Sequence, residues 1–127
     1  MDTIAVFPGT FDPLTLGHMD IIIRSTKIFS KIIIAVANSP SKHTLFSLDE
    51  RVQMCKECVA QWPNIEVIGF SGMLIDFLKE QKANILVRGV RTVADYEYES
   101  QLSGMYRLAM PEMEIVMLPT NPVVGFI

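Results

Sequence analysis

Short apolar runs alternate with longer amphipathic segments from one end of the sequence to the other, and this alternation restricts the possible folds more than any other feature. The run KIIIAVAN is rich in β-branched residues and has no polar face, which is typical of a strand buried on both sides. The segment SLDE places Glu50 three residues after Ser47, the pattern of a capping box at a helix start. The whole pattern predicts strands at residues 3–7, 31–38, 65–70, 84–89 and 114–119, and helices at 17–29, 47–62, 73–82 and 94–110.

Four strand–helix–strand connections of this length favour a parallel sheet, with right-handed crossovers that put helices on both of its faces. No internal repeat, low-complexity tract or linker separates one part of the sequence from another. The chain is therefore predicted to form a single α/β domain, residues 1–127. Its fold would be Rossmann-like and doubly wound, around a five-stranded parallel sheet.

Composition and charge argue against several classes of protein. Of the 127 residues, 50% are hydrophobic and 20% are charged, the mixture of a soluble globular protein. The net charge of −3 argues against a nucleic-acid partner, for which a basic face is expected. No apolar run approaches the ~20 residues of a membrane span. The N-terminus lacks the basic patch and cleavage site of a secretory signal, so we expect a cytoplasmic protein without a membrane partner.

The segment between the first strand and the first helix, PGTFDPLTLGH, has the composition of a phosphate-binding loop. A helix N-terminus attracts phosphate through unpaired N–H groups and its dipole, and Gly17 would let a ligand approach that backbone closely. His18 can donate a hydrogen bond to a phosphate oxygen, most strongly when charged, while Gly9 and Thr10 add a second close approach and a hydroxyl. Taken alone, His18 equally fits a capping or core histidine and Thr10 a turn residue, and Asp12 before proline fits an Asx-type turn.

Groups that can bind anions follow three of the predicted strands. They are Thr10 after the first strand, Lys42 after the second, and Arg88 with Arg91 after the fourth. Ligands of an open parallel sheet bind outside the carboxyl ends of its strands, so we expect these side chains to surround a common site. Neither the dinucleotide fingerprint nor the P-loop pattern is present, so the predicted phosphate-binding loop is of another kind. Lys42 by itself would also fit a solvated loop lysine.

The two cysteines, Cys55 and Cys58, form a CxxC pair. Redox pairs of this spacing usually lie at a helix N-terminus, where the dipole lowers the thiol pKa, but this pair falls two turns into a predicted helix. A zinc site would need further ligands, and the sequence has neither a second CxxC nor an HxxxH. We therefore interpret the cysteines as two small helix residues.

Several of these motifs together resemble those of the bacterial phosphopantetheine adenylyltransferase family. Residues 15–18, Thr-Leu-Gly-His, match the [HT]-x-G-H motif of the nucleotidylyltransferase superfamily. The stretches PGTFDPLTLGH, SPSK, RGVR and ADYEYE occur in the family's order, with Phe7 in place of the usual tyrosine. The resemblance implies a transferase that joins ATP to 4′-phosphopantetheine, giving dephospho-coenzyme A and pyrophosphate in coenzyme A biosynthesis.

The resemblance also implies roles for individual residues. Thr10 and His18 correspond to positions that hold the α-phosphate region of ATP, and Lys42 and Arg88 to positions that contact the phosphate of phosphopantetheine; these four would carry catalysis. Leu74 corresponds to a position near the pantetheine arm. The family uses Mg²⁺, which we expect to be held mainly by ATP's phosphates, since no carboxylate cluster demands a protein ligand. The family is cytoplasmic and commonly a homohexamer. Further ATP-contacting positions correspond to Phe11, Gly89, Val90, Arg91, Glu99, Val124, Gly125, Phe126 and Ile127.

Three features depart from the family pattern. The sequence stops at Ile127, directly before the serine-rich segment and helices with which the family continues, so we expect either a further tail or an ATP site without that segment. Tyr106 stands where relatives often have asparagine, and Gly72 where an aspartate is familiar, and both positions bear on the pantetheine pocket. Two alternatives therefore remain open. They are a shortened nucleotide-binding protein without turnover, and a sister nucleotidylyltransferase that acts on another phosphate.

Overall fold

Five strands and four helices alternate along the part of the chain that the computed structural model describes, residues 2–38 and 43–121. Each predicted element is present, and no end is displaced by more than four residues. The strands are β1 (Ile4–Gly9), β2 (Lys31–Asn38), β3 (Ile65–Ser71), β4 (Ile85–Val90) and β5 (Glu114–Pro119). The helices are α1 (Leu16–Ser25), α2 (Leu48–Cys58), α3 (Leu74–Gln81) and α4 (Val93–Ala109).

The five strands form one sheet in the order β3-β2-β1-β4-β5, and every neighbouring pair is parallel. From β1 the chain builds outward through β2 to β3, and then crosses to the other side of β1 for β4 and β5. The strand order therefore reverses between β1 and β4. This topology confirms the predicted doubly wound, Rossmann-like α/β fold, and such a reversal is where ligands bind in folds of this type.

Both faces of the sheet are covered, as its apolar strands predict. Along β2, Ile32 and Ile34 pack into a core shared with α1 and α2, whereas Ile33 and Ala35 pack into a core shared with α3. The alternation follows from the pleat, because successive side chains of a strand point to opposite faces. Burying one such isoleucine completely contributes about 1.5–3 kcal/mol, so the two cores hold the helices against the sheet.

Local side-chain hydrogen bonds set the ends of the helices. The capping box predicted at the start of α2 is present: Glu50 N–H donates to Ser47 Oγ at 3.1 Å, and Ser47 N–H donates to Glu50 Oε1 at 3.0 Å. At the other end of α1, Ser25 Oγ donates to the carbonyl of Ile21 at 2.7 Å. Such back-bonding competes with the helical pattern, and α1 ends at Ser25, four residues earlier than predicted.

Neither cysteine of the CxxC pair forms a disulfide; Cys55 is buried and Cys58 is exposed. Burial raises the pKa of the Cys55 thiol to about 11. A thiol that stays protonated at neutral pH is a poor nucleophile, so the structure gives Cys55 a packing role in the core.

None of the helices among the described residues is both long and apolar enough to cross a membrane.

Candidate active site

A cleft of about 680 Å³ opens at the carboxyl edge of the sheet, where the strand order reverses. Its walls come from the ends of the strands, the loops that follow them, and the first residues of α1 and α3. A volume of this size lies in the range of small-molecule sites. The lining residues are Phe7, Pro8, Gly9, Thr10, Phe11, Thr15, Gly17, His18, Ile21, Ala37, Phe70, Leu74, Arg88, Gly89, Arg91 and Thr120.

Of the nine site residues named from the sequence that the structure describes, seven lie at this cleft. Val90 and Glu99 do not line it, although both are next to residues that do. Lys42 and residues 124–127 lie outside the described part of the chain. The seven that line the cleft are Thr10, Phe11, His18, Leu74, Arg88, Gly89 and Arg91.

His18 both caps α1 and lines the cleft, so the two readings of this residue are compatible. Its backbone N–H donates to Thr15 Oγ1 at 3.2 Å, and the Thr15 N–H donates to His18 Nδ1 at 3.0 Å. The imidazole thus takes the place that Glu or Gln usually fills in a capping box. Because Nδ1 accepts a hydrogen bond, the neutral ring carries its proton on Nε2, which is the donor left for a ligand oxygen.

The neutral form of His18 is favoured in this environment. Burial lowers the pKa of the imidazole below its ordinary value of 6.5, and the positive charge of Arg91 lowers this pKa further. Protonation of Nδ1 would also remove the acceptor for the Thr15 N–H. The sequence led us to expect strongest donation from a charged histidine; the structure favours a neutral Nε2–H donor near neutral pH.

Phe11 supports the His18 ring. The two ring centroids are 5.0 Å apart with an interplanar angle of 79°, an edge-to-face arrangement. Phe11 is 3% exposed and its φ is +50°, an uncommon left-handed conformation for a bulky residue. A Cβ at Gly9 would lie 2.8 Å from the Phe11 ring, so glycine is needed there for this packing. The ATP contact predicted for Phe11 from the family resemblance stays a prediction; the structure places Phe11 at the cleft and packs it against the imidazole.

Arg88 and Glu99 form a two-point ion pair beside the cleft. Arg88 Nε donates to Glu99 Oε2 at 3.0 Å, and Arg88 Nη2 donates to Glu99 Oε1 at 2.9 Å. The Glu99 side chain is almost buried, while that of Arg88 is 30% exposed. Both carboxylate oxygens of Glu99 are therefore engaged, and the exposed part of the guanidinium remains available to an anion in the cleft.

The loop after β4 brings a second arginine to the cleft. Gly89 lets α1 pack close to β4, since a Cβ there would lie 3.2 Å from the side chain of Ile21. The Arg91 N–H donates to Asp95 Oδ2 at 3.0 Å, which ties the loop to the first turn of α4. Arg91 is close enough to His18 to affect its pKa. The end of β4 and the loop after it therefore place two guanidinium groups, those of Arg88 and Arg91, at one wall of the site.

Tyr106 and Gly72, the two departures that bear on the pantetheine pocket, lie away from most of this machinery. Tyr106 is partly buried and packs, together with Leu74, against the core that includes Leu78. Tyr106 does not line the cleft, although Leu74 does. Gly72 has φ +89°, and nothing lies within 4 Å of the position that its Cβ would occupy. Neither residue narrows the described cleft.

Sequence reasoning did not predict the two side chains that tie the cleft loops together, Asp12 and Arg51. The Asp12 carboxylate accepts hydrogen bonds from the N–H groups of Leu45, at 2.6 Å, and Phe46, at 2.9 Å. It therefore bridges to the loop before α2 instead of forming the expected Asx-type turn. Arg51 is 2% exposed and donates to three backbone carbonyls. The one sequence signal that could have indicated the buried role of Arg51 is its position on the core-facing side of α2, four residues before Cys55.

A third connection joins α1 to the end of β5. Arg24 Nη1 donates to Asp20 Oδ2 at 2.9 Å and to the carbonyl of Pro119 at 2.8 Å. The N–H of Asn121 also donates to Asp20 Oδ2, at 3.2 Å. Asp20 and Arg24 thereby hold the backbone around Thr120, which lines the cleft, against the helix that carries His18.

The cleft thus offers a hydroxyl, a neutral imidazole N–H and two guanidinium groups within one concave surface. These are donors and positive charges suited to phosphate oxygens. Within residues 2–38 and 43–121, no group of three or more His, Cys, Asp or Glu side chains could hold a metal ion. The arrangement can bind polyanions and stabilise negative charge that develops on them.

Comparisons with known proteins identify the family of this chain. Residues 6–124 match the model of the cytidylyltransferase-like family. A phosphopantetheine adenylyltransferase from Tolumonas auensis is 57% identical over 122 residues, which are 96% of this chain and 74% of that protein. A phosphopantetheine adenylyltransferase from Polynucleobacter necessarius subsp. necessarius is 47% identical over 125 residues, 98% of this chain and 76% of that protein.

The fold is also found in solved structures. The crystal structure of a bifunctional NMN adenylyltransferase/ADP ribose pyrophosphatase from Francisella tularensis matches with a TM-score of 0.70. The match covers 95% of this chain and 39% of that one, at 20% sequence identity. At this identity the likeness shows a shared fold and nothing finer.

Proposed function

Because this chain belongs to the cytidylyltransferase-like family and, within it, to the phosphopantetheine adenylyltransferases, we propose that ATP and 4′-phosphopantetheine react in its cleft. The chain is a nucleotidyltransferase that moves the adenylyl group of ATP to 4′-phosphopantetheine, with release of pyrophosphate and formation of dephospho-coenzyme A. One observation carries the location of the reaction. Thr10 from the loop after β1, His18 from the first turn of α1 and Arg88 from the end of β4 line a single cleft at the reversal of the sheet.

The chemistry requires two polyanions to be held together while charge develops between them. The phosphate oxygen of phosphopantetheine attacks the α-phosphorus of ATP, the bond from that phosphorus to the bridging oxygen breaks, and pyrophosphate leaves with the electron pair. The nucleophile is already anionic, so the reaction needs no general base and no covalent intermediate. Catalysis then depends on positioning and on donors aimed at the reacting phosphoryl group.

The described residues can be given roles on this basis. His18 donates from Nε2 to an α-phosphate oxygen of ATP, and Thr10 donates its hydroxyl in the same region. Arg88, held by Glu99, binds the phosphate of phosphopantetheine through the exposed part of its guanidinium. Lys42, by resemblance, contacts that same phosphate.

Mg²⁺ is proposed to enter the cleft with ATP. No Asp or Glu, the side chains that usually bind Mg²⁺, is among the described residues that line the cleft. ATP's own phosphates would therefore supply the ligands. Bound in this way, Mg²⁺ neutralises part of the charge on the triphosphate.

The homohexamer and the cytoplasmic location implied by the resemblance are also proposals. Helix α4 exposes several large apolar side chains, among them Tyr98, Met105 and Leu108, which are 60%, 66% and 87% exposed. A self-association surface that covers these side chains would explain why α4 exposes them in the single chain. Sedimentation equilibrium of the purified protein would measure the assembly state.

The function is tested by pyrophosphate release from ATP, Mg²⁺ and phosphopantetheine. We expect turnover by the unmodified chain, and a decrease in kcat of about 10²–10³ in His18→Ala, the effect of removing one preorganised donor. His43→Ala removes the other histidine, which is exposed and outside the cleft, and should keep full activity. Turnover with nicotinamide mononucleotide and none with phosphopantetheine, or full activity of His18→Ala, would contradict the proposal.

A further inference from the structure

Arg51 is a buried arginine that donates to the backbone of three different segments around the cleft. Its Nη1 donates to the carbonyl of Thr10 at 2.8 Å and to the carbonyl of Ala37 at 2.8 Å. Its Nε donates to the carbonyl of Phe46 at 3.1 Å. The three carbonyls belong to the loop after β1, the end of β2 and the loop before α2, so one side chain joins them.

Burying the Arg51 side chain costs free energy, and packing alone does not explain why an arginine stands at this position. The residue is 2% exposed, and none of the ion pairs among the described residues includes it. Burying a charge without a counter-charge is unfavourable, and an apolar side chain of similar volume would usually fill a core position at lower cost. What only an arginine supplies here is a rigid, planar fork with several donors.

Two of the three segments that Arg51 joins reach the cleft directly. Thr10 and Ala37 both line it. The third is held from two sides: the N–H of Phe46 donates to Asp12 at 2.9 Å, and its carbonyl accepts from Arg51. Asp12 is two residues after Thr10, so Asp12 and Arg51 together close a ring of hydrogen bonds around the loop that carries Thr10.

We propose that Arg51 is a positioning residue for adenylyl transfer. It holds the backbone of Thr10 at a fixed distance from Ala37 at the end of β2. Arg51 does not line the cleft; it sets the separation between two segments that do. This inference rests on the proposed function, because positioning is the main source of catalysis in that reaction.

The test compares Arg51→Lys and Arg51→Met with a matched core variant, Val59→Ala. Lysine keeps the charge but cannot span the three carbonyls, so we expect kcat to fall about 10–100-fold in both Arg51 variants, since small displacements of reacting groups have effects of this size. The KM values for ATP and phosphopantetheine should change less than threefold. Val59→Ala, at a buried position that ends the same helix and does not line the cleft, should lower the unfolding temperature and leave kcat unchanged.

Asp12→Asn is a milder second variant, useful if the Arg51 variants do not fold. This substitution weakens the hydrogen bond that the Phe46 N–H donates to residue 12, and with it the ring of hydrogen bonds around the Thr10 loop. It should also lower kcat with little change in KM. Full kcat in Asp12→Asn, or in a folded Arg51→Lys, would refute the positioning role while leaving the proposed function intact. A loss of kcat in Val59→Ala that matches its loss of stability would also refute it. An inactive unmodified chain would refute the proposed function, and the positioning role with it.

Discussion

Two nitrogens of Arg88 donate to the two oxygens of Glu99, at 3.0 and 2.9 Å, and this pair fixes the orientation of a guanidinium at the wall of the cleft. The pair joins β4 to α4. Because Glu99 is 7% exposed and both its oxygens are engaged, it can act on a ligand by orienting Arg88. The family resemblance implies a direct ATP contact for Glu99 instead.

Glu99→Gln separates these two roles. The amide keeps the shape of the side chain but removes the charge that holds Arg88, so we expect kcat/KM for phosphopantetheine to fall about 10–100-fold, equivalent to losing a charged hydrogen bond of roughly 1.5–3 kcal/mol. The KM for ATP should change little. Glu97→Gln, the same substitution at an exposed position of α4, is the control and should be neutral. An increase confined to the KM for ATP would instead support a direct contact.

The lowered pKa of His18 predicts a pH dependence of stability. Between the folded-state pKa and 6.5, the unfolded histidine binds more protons than the folded one, so stability rises with pH across this interval and levels off above it. His18→Gln removes the titration and supplies the usual capping-box residue for Thr15. Urea unfolding from pH 5 to 7.5 should therefore show the unmodified chain losing stability relative to His18→Gln as the pH falls. A constant difference between the two proteins would contradict the buried, neutral imidazole.

Gly9→Ala tests whether Phe11 supports the imidazole. The added Cβ would lie 2.8 Å from the Phe11 ring, so the ring must move, and we expect a loss of about 1–3 kcal/mol in the free energy of unfolding. Since Phe11 packs against His18, kcat should fall as well. Gly104→Ala in α4 is the matched control: nothing lies within 4 Å of its Cβ, and removing a helical glycine should stabilise by roughly 0.5–1 kcal/mol. Unchanged kcat in a folded Gly9→Ala would argue against the support.

The parts of the molecule that could be predicted from sequence are those whose causes are local. The apolar run of β2 gave both of its ends correctly, and the Ser47 capping box gave the start of α2 within one residue. The gathering of Thr10, His18 and Arg88 was predictable for a different reason. The carboxyl ends of parallel strands meet at one edge, so position in the sequence already implied position in space.

The parts that were missed depend on partners distant in the sequence. Arg51 bonds to Thr10, which is 41 residues away, and Asp12 bonds to Phe46, which is 34 residues away. Nothing in a local pattern tells which backbone carbonyl a buried arginine will meet. The neutral state of His18 was missed for a similar reason, because it depends on burial and on Arg91 from another loop.

Gly72→Asp restores the residue familiar in the family, and the structure predicts that it is not neutral here. With φ at +89°, the backbone at this position disfavours any side chain, and we expect the free energy of unfolding to fall by about 1–2 kcal/mol. Gly72→Ala should lose a similar amount, since open space surrounds the added Cβ and the cost is therefore conformational. Both variants should keep the KM for phosphopantetheine within twofold, because Gly72 does not line the cleft. Thermal unfolding and steady-state kinetics measure the two effects. A stabilised Gly72→Asp, or one with a much lower KM, would show that the aspartate belongs to the pantetheine site in this chain too.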